Sequence, residues 1–188
     1  MDQYEEKKLV EQVRSSPEAF SQLYEQYYPR IFNYAFRRTS NIYAAQDITS
    51  ETFYKILKCL WQFKWKNISF SSWVFKIATN EIRNYYRKLK NSTSSLDELM
   101  EEDGYNPASP DTPESELMKS QEILQQHQDF LECQRKISEL PQKYQEVLSL
   151  RFFEQKQIKE IGIILGKSEG TVKSLIHRGL EKLKKVLK

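Results

Sequence analysis

Nowhere in this 188-residue chain do 18 apolar residues run together, so the sequence predicts no membrane span. Met1 to Val10 mixes acids with bases and has no apolar core segment, which predicts no secretory signal and a cytoplasmic protein. Reactive side chains are scarce as well. Cys59 and Cys133 stand far apart, as do His127 and His177, so no pair has the spacing of a metal site or a disulfide framework. The cysteines read as single thiols that pack like small hydrophobes. Scattered acids and two distant histidines supply no cluster of carboxylates and no nucleophile beside a base. The sequence therefore predicts neither an enzyme nor a cofactor or small-molecule substrate. Only 5 glycines and 6 prolines punctuate the chain, which points to helices rather than turn-rich sheet.

What is present divides in three. The length allows two small helical domains, and the charge is unevenly spread along them. Residues 1–91 carry a net charge of +6, residues 92–116 −8, and residues 117–188 +5. The middle stretch gathers three of the six prolines with Ser, Asp and Glu, and it lacks periodic apolar residues. By composition it is a flexible acidic linker. Two basic blocks favour polyanionic partners, and an acidic run between them stays extended and competes for a basic channel. The expected fold class is all-α: two small helical domains joined by that linker.

In the first block Ser16-Pro17-Glu18 reads as an N-cap, a proline at the first helical position and an acid favoured by the dipole. Phe20, Leu23, Tyr24, Tyr27, Ile31, Phe32 and Ala35 then recur at three- and four-residue steps as one core-facing stripe. A second helix, residues 44–61, offers Ile48, Phe53, Ile56, Leu57 and Leu60 for burial. It sets Asp47 and Glu51 one turn apart on an exposed face. Taken alone the two acids repel slightly and read as a solvated face, but a basic partner surface turns them into an anchor. Beyond them Phe63, Trp65, Phe70, Trp73 and Phe75 interleave with Lys64, Lys66 and Lys76. Aromatics amid cations suit single-stranded nucleic acid, because unstacked bases lie on rings while cations track phosphates. Phe70, Trp73 and Ile77 fit a core better, which leaves Lys64 to Ser69 as the candidate loop.

In the last block Leu140-Pro141 opens a helix through Val147, Leu148 and Phe152, and two short helices follow across a tight turn. Ile158, Ile161 and Leu165 supply the buried side of the first, Gly162 is small at the crossing, and Gly166 allows a positive φ. Val172 and Ile176 face inward on the second helix. Lys173, Ser174, His177 and Arg178 face outward, within reach of base edges or phosphates in a major groove. This is a helix-turn-helix. On these residues alone the chain also fits a stand-alone helix-turn-helix regulator that binds duplex DNA by itself.

Asp47-Ile48-Thr49-Ser50-Glu51-Thr52-Phe53 resembles the D-L-T-Q-E-T-F signature of region two of RNA polymerase sigma factors. Residues 70–87 resemble the next part of that region, and 140–148 the opening of region four. Residues 168–174 are similar to the start of the family's recognition helix. With a variable linker and no third domain between, order and length resemble the extracytoplasmic-function (ECF) subfamily of the sigma-70 family.

The resemblance implies a region-two domain at 1–91, an acidic linker at 92–116 and a region-four domain at 117–188. It implies core RNA polymerase and promoter DNA as partners, with Asp47, Thr49, Glu51 and Thr52 facing the β′ clamp helices and the polymerase's β subunit also in contact. Lys64, Lys66, Asn67 and Asn80 then serve the minus ten element, where an unstacked base is captured. Lys173, Ser174, His177 and Arg178 serve the minus thirty-five element, and the linker threads the RNA exit path. A stress or cell-envelope regulon, an anti-sigma factor and no membrane insertion follow from the family's habits. Two departures stand out: Leu175 where many relatives carry arginine, and Lys167 where many carry an aliphatic residue.

Overall fold

A computed structural model describes residues 3–13, 16–65, 68–93 and 132–186, and all regular elements among them are helical. The acidic stretch 92–116 lies almost wholly outside the described residues, and the chain on either side of it forms two helical units.

The first unit holds α1 (Gln3–Val13), α2 (Pro17–Thr39), α3 (Ile42–Cys59), a 3-10 turn (Leu60–Gln62) and α4 (Phe70–Thr93). Ser16 caps α2 as expected: it is extended and its hydroxyl accepts from the Ala19 N–H. Asn41 caps α3 in the same way, its side chain accepting from Ala44 at 2.8 Å. The expected stripe on α2 is largely core, with Leu23, Tyr27, Ile31 and Ala35 buried and Tyr24 at the rim. These residues meet Ile48, Phe53 and Ile56 of α3 and Phe70, Val74, Phe75, Ala78 and Ile82 of α4. Tyr27 stands edge-on to Phe70 at 5.6 Å, and Tyr34 edge-on to Phe75 at 5.4 Å, geometry that favours aromatic pairs. The Tyr34 hydroxyl is satisfied by Thr79 at 2.9 Å. α1 closes this core from one side: its buried Glu6 takes the Tyr27 hydroxyl and, at 3.2 Å, the Ser71 N–H at the start of α4. One residue expected in the core is not there: Leu57 is exposed.

The second unit holds helical residues 132–138 (α5), α6 (Gln142–Leu148), a π-helical turn (Ser149–Phe153), α7 (Ile158–Leu165) and α8 (Glu169–Val186). Val147, Leu148, Leu150, Ile161, Ile164, Leu165, Val172 and Leu183 form its core. The expected helix through Phe152 changes register at Ser149. The extra residue of the π turn leaves Phe152 exposed and brings Phe153 beneath the Arg37 guanidinium at 4.6 Å.

Between α7 and α8 the chain turns at Gly166, whose φ of 66° is left-handed, and the N–H groups of Gly166 and Lys167 both return to the Gly162 carbonyl. A Cβ on Gly162 would stand 2.8 Å from the Lys167 carbonyl oxygen, a backbone atom that cannot step aside. Gly162→Ala is therefore expected to cost about 1–3 kcal/mol of stability and to misplace α8, both readable by urea denaturation and duplex binding. The two units pack together, with α7 lying on α4 and the turn before α7 lying on α2.

Candidate nucleic-acid interface

Three surfaces carry the residues singled out by the sequence. The first is the outer face of α3. Asp47, Glu51, Tyr54 and Lys58, continued by Trp61, follow one another at steps of four and three and are all exposed, Trp61 by 71%. Lys58 stands 4.3 Å from the centre of the Tyr54 ring. Lys55 bridges at 3.5 Å to Glu51 and at 2.7 Å to Glu81 of α4, and its ammonium is held above its ordinary pKa, first by the hydrogen bond to Glu81. Thr49 and Thr52 do not share this face. Both are fully buried, and their hydroxyls bond back to the Ala45 and Ile48 carbonyls at 2.6 and 2.7 Å. They build the packing behind the acidic face and offer no polar atom to a partner. The sequence reading missed Tyr54, Lys58 and Trp61, whose spacing from Glu51 was the available signal.

The second surface is the loop leading into α4. Lys64 is exposed, whereas Lys66 and Asn67 lie outside the described residues. The loop is anchored by rings: Phe63 meets Trp65 at 5.1 Å, Phe70 at 5.3 Å and Trp73 at 5.1 Å. The aromatic residues of this block are thus spent mainly on packing, with Phe70 fully buried and Trp65 and Trp73 half-buried. Asn80 is exposed on α4, one turn from exposed Lys76 and two turns from exposed Arg87. That gives α4 a polar and basic outer edge beginning at the loop.

The third surface is α8. Ser168 caps it, its hydroxyl accepting from the Thr171 N–H at 3.2 Å. Val172 is buried and Ile176 packs against the core, while Lys173, Ser174, His177 and Arg178 are all exposed. His177 faces Glu181 at 3.5 Å, a pair that is ionic only when the imidazole is protonated. Ser174 returns its hydroxyl to the Thr171 carbonyl at 2.9 Å, so Lys173, His177 and Arg178 are the long reaching groups. Leu175 packs against the core, so this position adds no polar group to the exposed face.

Comparison with known proteins finds matches for both helical units. The family model for Sigma-70 region 2 matches residues 23–92, and that for Sigma-70 region 4 matches residues 131–183. The RNA polymerase sigma factor YlaC of Bacillus subtilis (strain 168) is 32% identical over 168 residues, covering 89% of this chain and 91% of YlaC. The ECF RNA polymerase sigma factor SigW of the same organism is 31% identical over 183 residues, covering 97% of this chain and 96% of SigW. The chain belongs to the ECF subfamily of sigma-70 factors. Such a factor directs transcription by RNA polymerase, and the all-α fold agrees with solved relatives. CnrH, solved with the cytosolic domain of CnrY, superposes with a TM-score of 0.67 at 19% identity over 99% of this chain and 97% of that one. RpoE of Bartonella quintana, solved with the anti-sigma factor NepR, gives 0.65 at 20% identity over 89% and 96%.

Proposed function

We propose that this sigma factor binds core polymerase through the outer face of α3 and positions it on two promoter elements, making and breaking no covalent bond itself. Asp47 and Glu51, with Tyr54 beside them, meet a basic surface on the β′ clamp. Lys64, Asn80 and their neighbours on the 64–69 loop take an unstacked base of the minus ten element. Lys173, His177 and Arg178 read the minus thirty-five duplex. Residues 1–91 and 117–188 are the two working domains, 92–116 the acidic linker between them. The same reading gives a cytoplasmic protein and an anti-sigma factor as its regulator, in keeping with the anti-sigma factor NepR bound to RpoE in its solved complex.

The observation that carries this reading is the pairing of an exposed acidic stripe at Asp47 and Glu51 with an exposed basic recognition helix at Lys173 to Arg178, both within matched sigma regions of one chain. Run-off transcription by core polymerase on a library of promoter fragments, with and without the protein, tests it. Defined transcripts that require the protein establish the reading. Absence of initiation together with tight duplex binding by the protein alone replaces it with a stand-alone regulator.

Arg178 is the longest cation on the exposed face of α8, and its replacement separates base reading from general attraction. Arg178→Ala is expected to cost about 1–3 kcal/mol at its cognate base and to relax specificity there. Equal loss on every promoter, with a shallower salt dependence, would instead mark it as a phosphate contact.

A further inference from the structure

The outward face of α8 carries charge of both signs in a fixed order. Lys173, His177, Glu181 and Lys184 follow one another at steps of four, four and three, and all are exposed. Nε2 of His177 lies 3.5 Å from Oε1 of Glu181, and the two side chains are open to solvent by 75% and 61%. Glu181 is the one acid of α8 beyond its first turn, set among the cations Lys173, Arg178, Lys182, Lys184 and Lys185. The helix itself gains little from it. An exposed pair one turn apart stabilises weakly, and this one has its acid on the C-terminal side, the poorer order. On a duplex, moreover, a bare carboxylate on this face would stand among phosphates.

We propose that His177 and Glu181 are a proton-dependent reading pair: His177 meets the duplex as imidazolium, Glu181 holds the proton on the ring, and binding therefore strengthens as pH falls. This deepens the proposed function and rests on its reading of α8 as the duplex-reading helix. Neutral imidazole offers one donor and one acceptor, whereas imidazolium offers two N–H donors. One of these faces Glu181. The other is free for an acceptor on the DNA, either a phosphate oxygen or the N7 and O6 edge of guanine. A proton taken from solvent changes the charge of the pair from −1 to zero, which removes the repulsion between Glu181 and the phosphates. Histidine is the side chain whose charge changes between pH 5 and 8, within reach of ordinary binding measurements.

The surrounding charges leave the pair to itself. On α8 its neighbours are the cations Lys173 and Arg178. From α6, Lys143 lies over the Tyr144 ring at 5.1 Å, and Glu146 is bound to Arg83 at 2.9 Å. From α7, Glu160 is bound to Ser72 at 2.8 Å, and Lys159 is exposed. Among the described residues Glu181 is thus the one acid within ion-pair distance of His177.

The test begins with a random-sequence duplex pool, selected by the full chain both with core polymerase and alone. Affinity for the selected duplex is then measured by fluorescence anisotropy between about pH 6 and pH 8 at constant salt. Wild type is expected to bind about tenfold more tightly at the acid end, the size of effect that uptake of one proton allows. His177→Gln, neutral throughout, is expected to lose that gain, and His177→Arg, charged throughout, to bind equally at both ends. Glu181→Gln is expected to bind more tightly than wild type at pH 8 and to gain only about threefold on acidification, because neutral His177 then stands beside no carboxylate. All three changes fall on exposed side chains, and circular dichroism checks the fold. Equal wild-type affinity at both ends, or a gain that persists in His177→Gln, overturns the proposal. A Glu181→Gln profile matching wild type overturns the role of Glu181. A gain shared by unrelated duplexes assigns the acceptor to phosphate, and one confined to the selected duplex assigns it to a base edge. Selection by the chain alone, with no initiation when core polymerase is added, defeats the proposed function and leaves the pH comparison intact. Selection of no duplex under either condition defeats the pair as well.

Discussion

Phe70→Ala is expected to lower the stability of the first unit by about 3–5 kcal/mol, a large share of the total for a domain of this size. The ring is fully buried and touches three others: Tyr27 at 5.6 Å, Phe63 at 5.3 Å and Trp73 at 5.5 Å. Alanine removes the transfer energy of the ring and leaves a hole between α2 and α4 that rigid aromatic neighbours fill poorly. Phe70 is also the first residue of α4, and together with Trp73 it holds the ring of Phe63 in the loop before that helix. Urea denaturation followed by tryptophan fluorescence reads the loss, because Trp65 and Trp73 report on the same cluster. A midpoint within the error of wild type would mean that the cluster collapses around the cavity, and the loop would then not depend on it. A conservative Phe70→Leu change is expected to recover most of the stability, since volume-conserving apolar swaps cost less than about 1.5 kcal/mol.

Capping and periodicity made much of this fold legible in advance. Ser16-Pro17 marks the start of α2, and Gly166 marks the turn of the helix-turn-helix because a left-handed φ there lets the next N–H, that of Lys167, return to the Gly162 carbonyl. On α3 three residues lie on the side opposite to expectation, Thr49 and Thr52 inside and Leu57 outside. The family resemblance implies an outward face for Thr49 and Thr52, and the apolar side chain of Leu57 an inward one. Helical position decides otherwise: at about 100° per residue both threonines fall within the arc of Ile48, Phe53, Ile56 and Leu60, and Leu57 falls beyond it. Back-bonding of the threonine hydroxyls to the preceding turn removes the usual penalty for burying them. The π turn at Ser149–Phe153 had no local signal, and neither did the pairing of Arg38 with Glu146 across more than a hundred residues. Such pairs depend on how two units meet, which no window of sequence contains.

The Asp47→Ala/Glu51→Ala variant is expected to keep its fold and lose polymerase. Asp47 is exposed and makes no ion pair among the described residues, while Glu51 makes one half-exposed pair with Lys55 at 3.5 Å, a kind of contact worth about 0.3–0.5 kcal/mol. Relief of repulsion between two acids one turn apart returns a similar amount. Stability should therefore move by no more than about 0.5 kcal/mol. Binding should move far more. Close charge pairs across an interface couple by about 1.5 kcal/mol or more each, and losing two weakens core binding by about a hundredfold. Titration of fluorescently labelled core polymerase, with run-off transcription alongside, measures this against Thr49→Val, which changes the buried layer behind the stripe and leaves both carboxylates in place. If Thr49→Val impairs binding while its melting temperature is unchanged, the threonine acts on the partner after all, despite its burial. If the double alanine variant binds core as wild type does, Asp47 and Glu51 are an ordinary solvated face. The exposed ring of Trp61 and the Tyr54–Lys58 pair would then become the residues to change next.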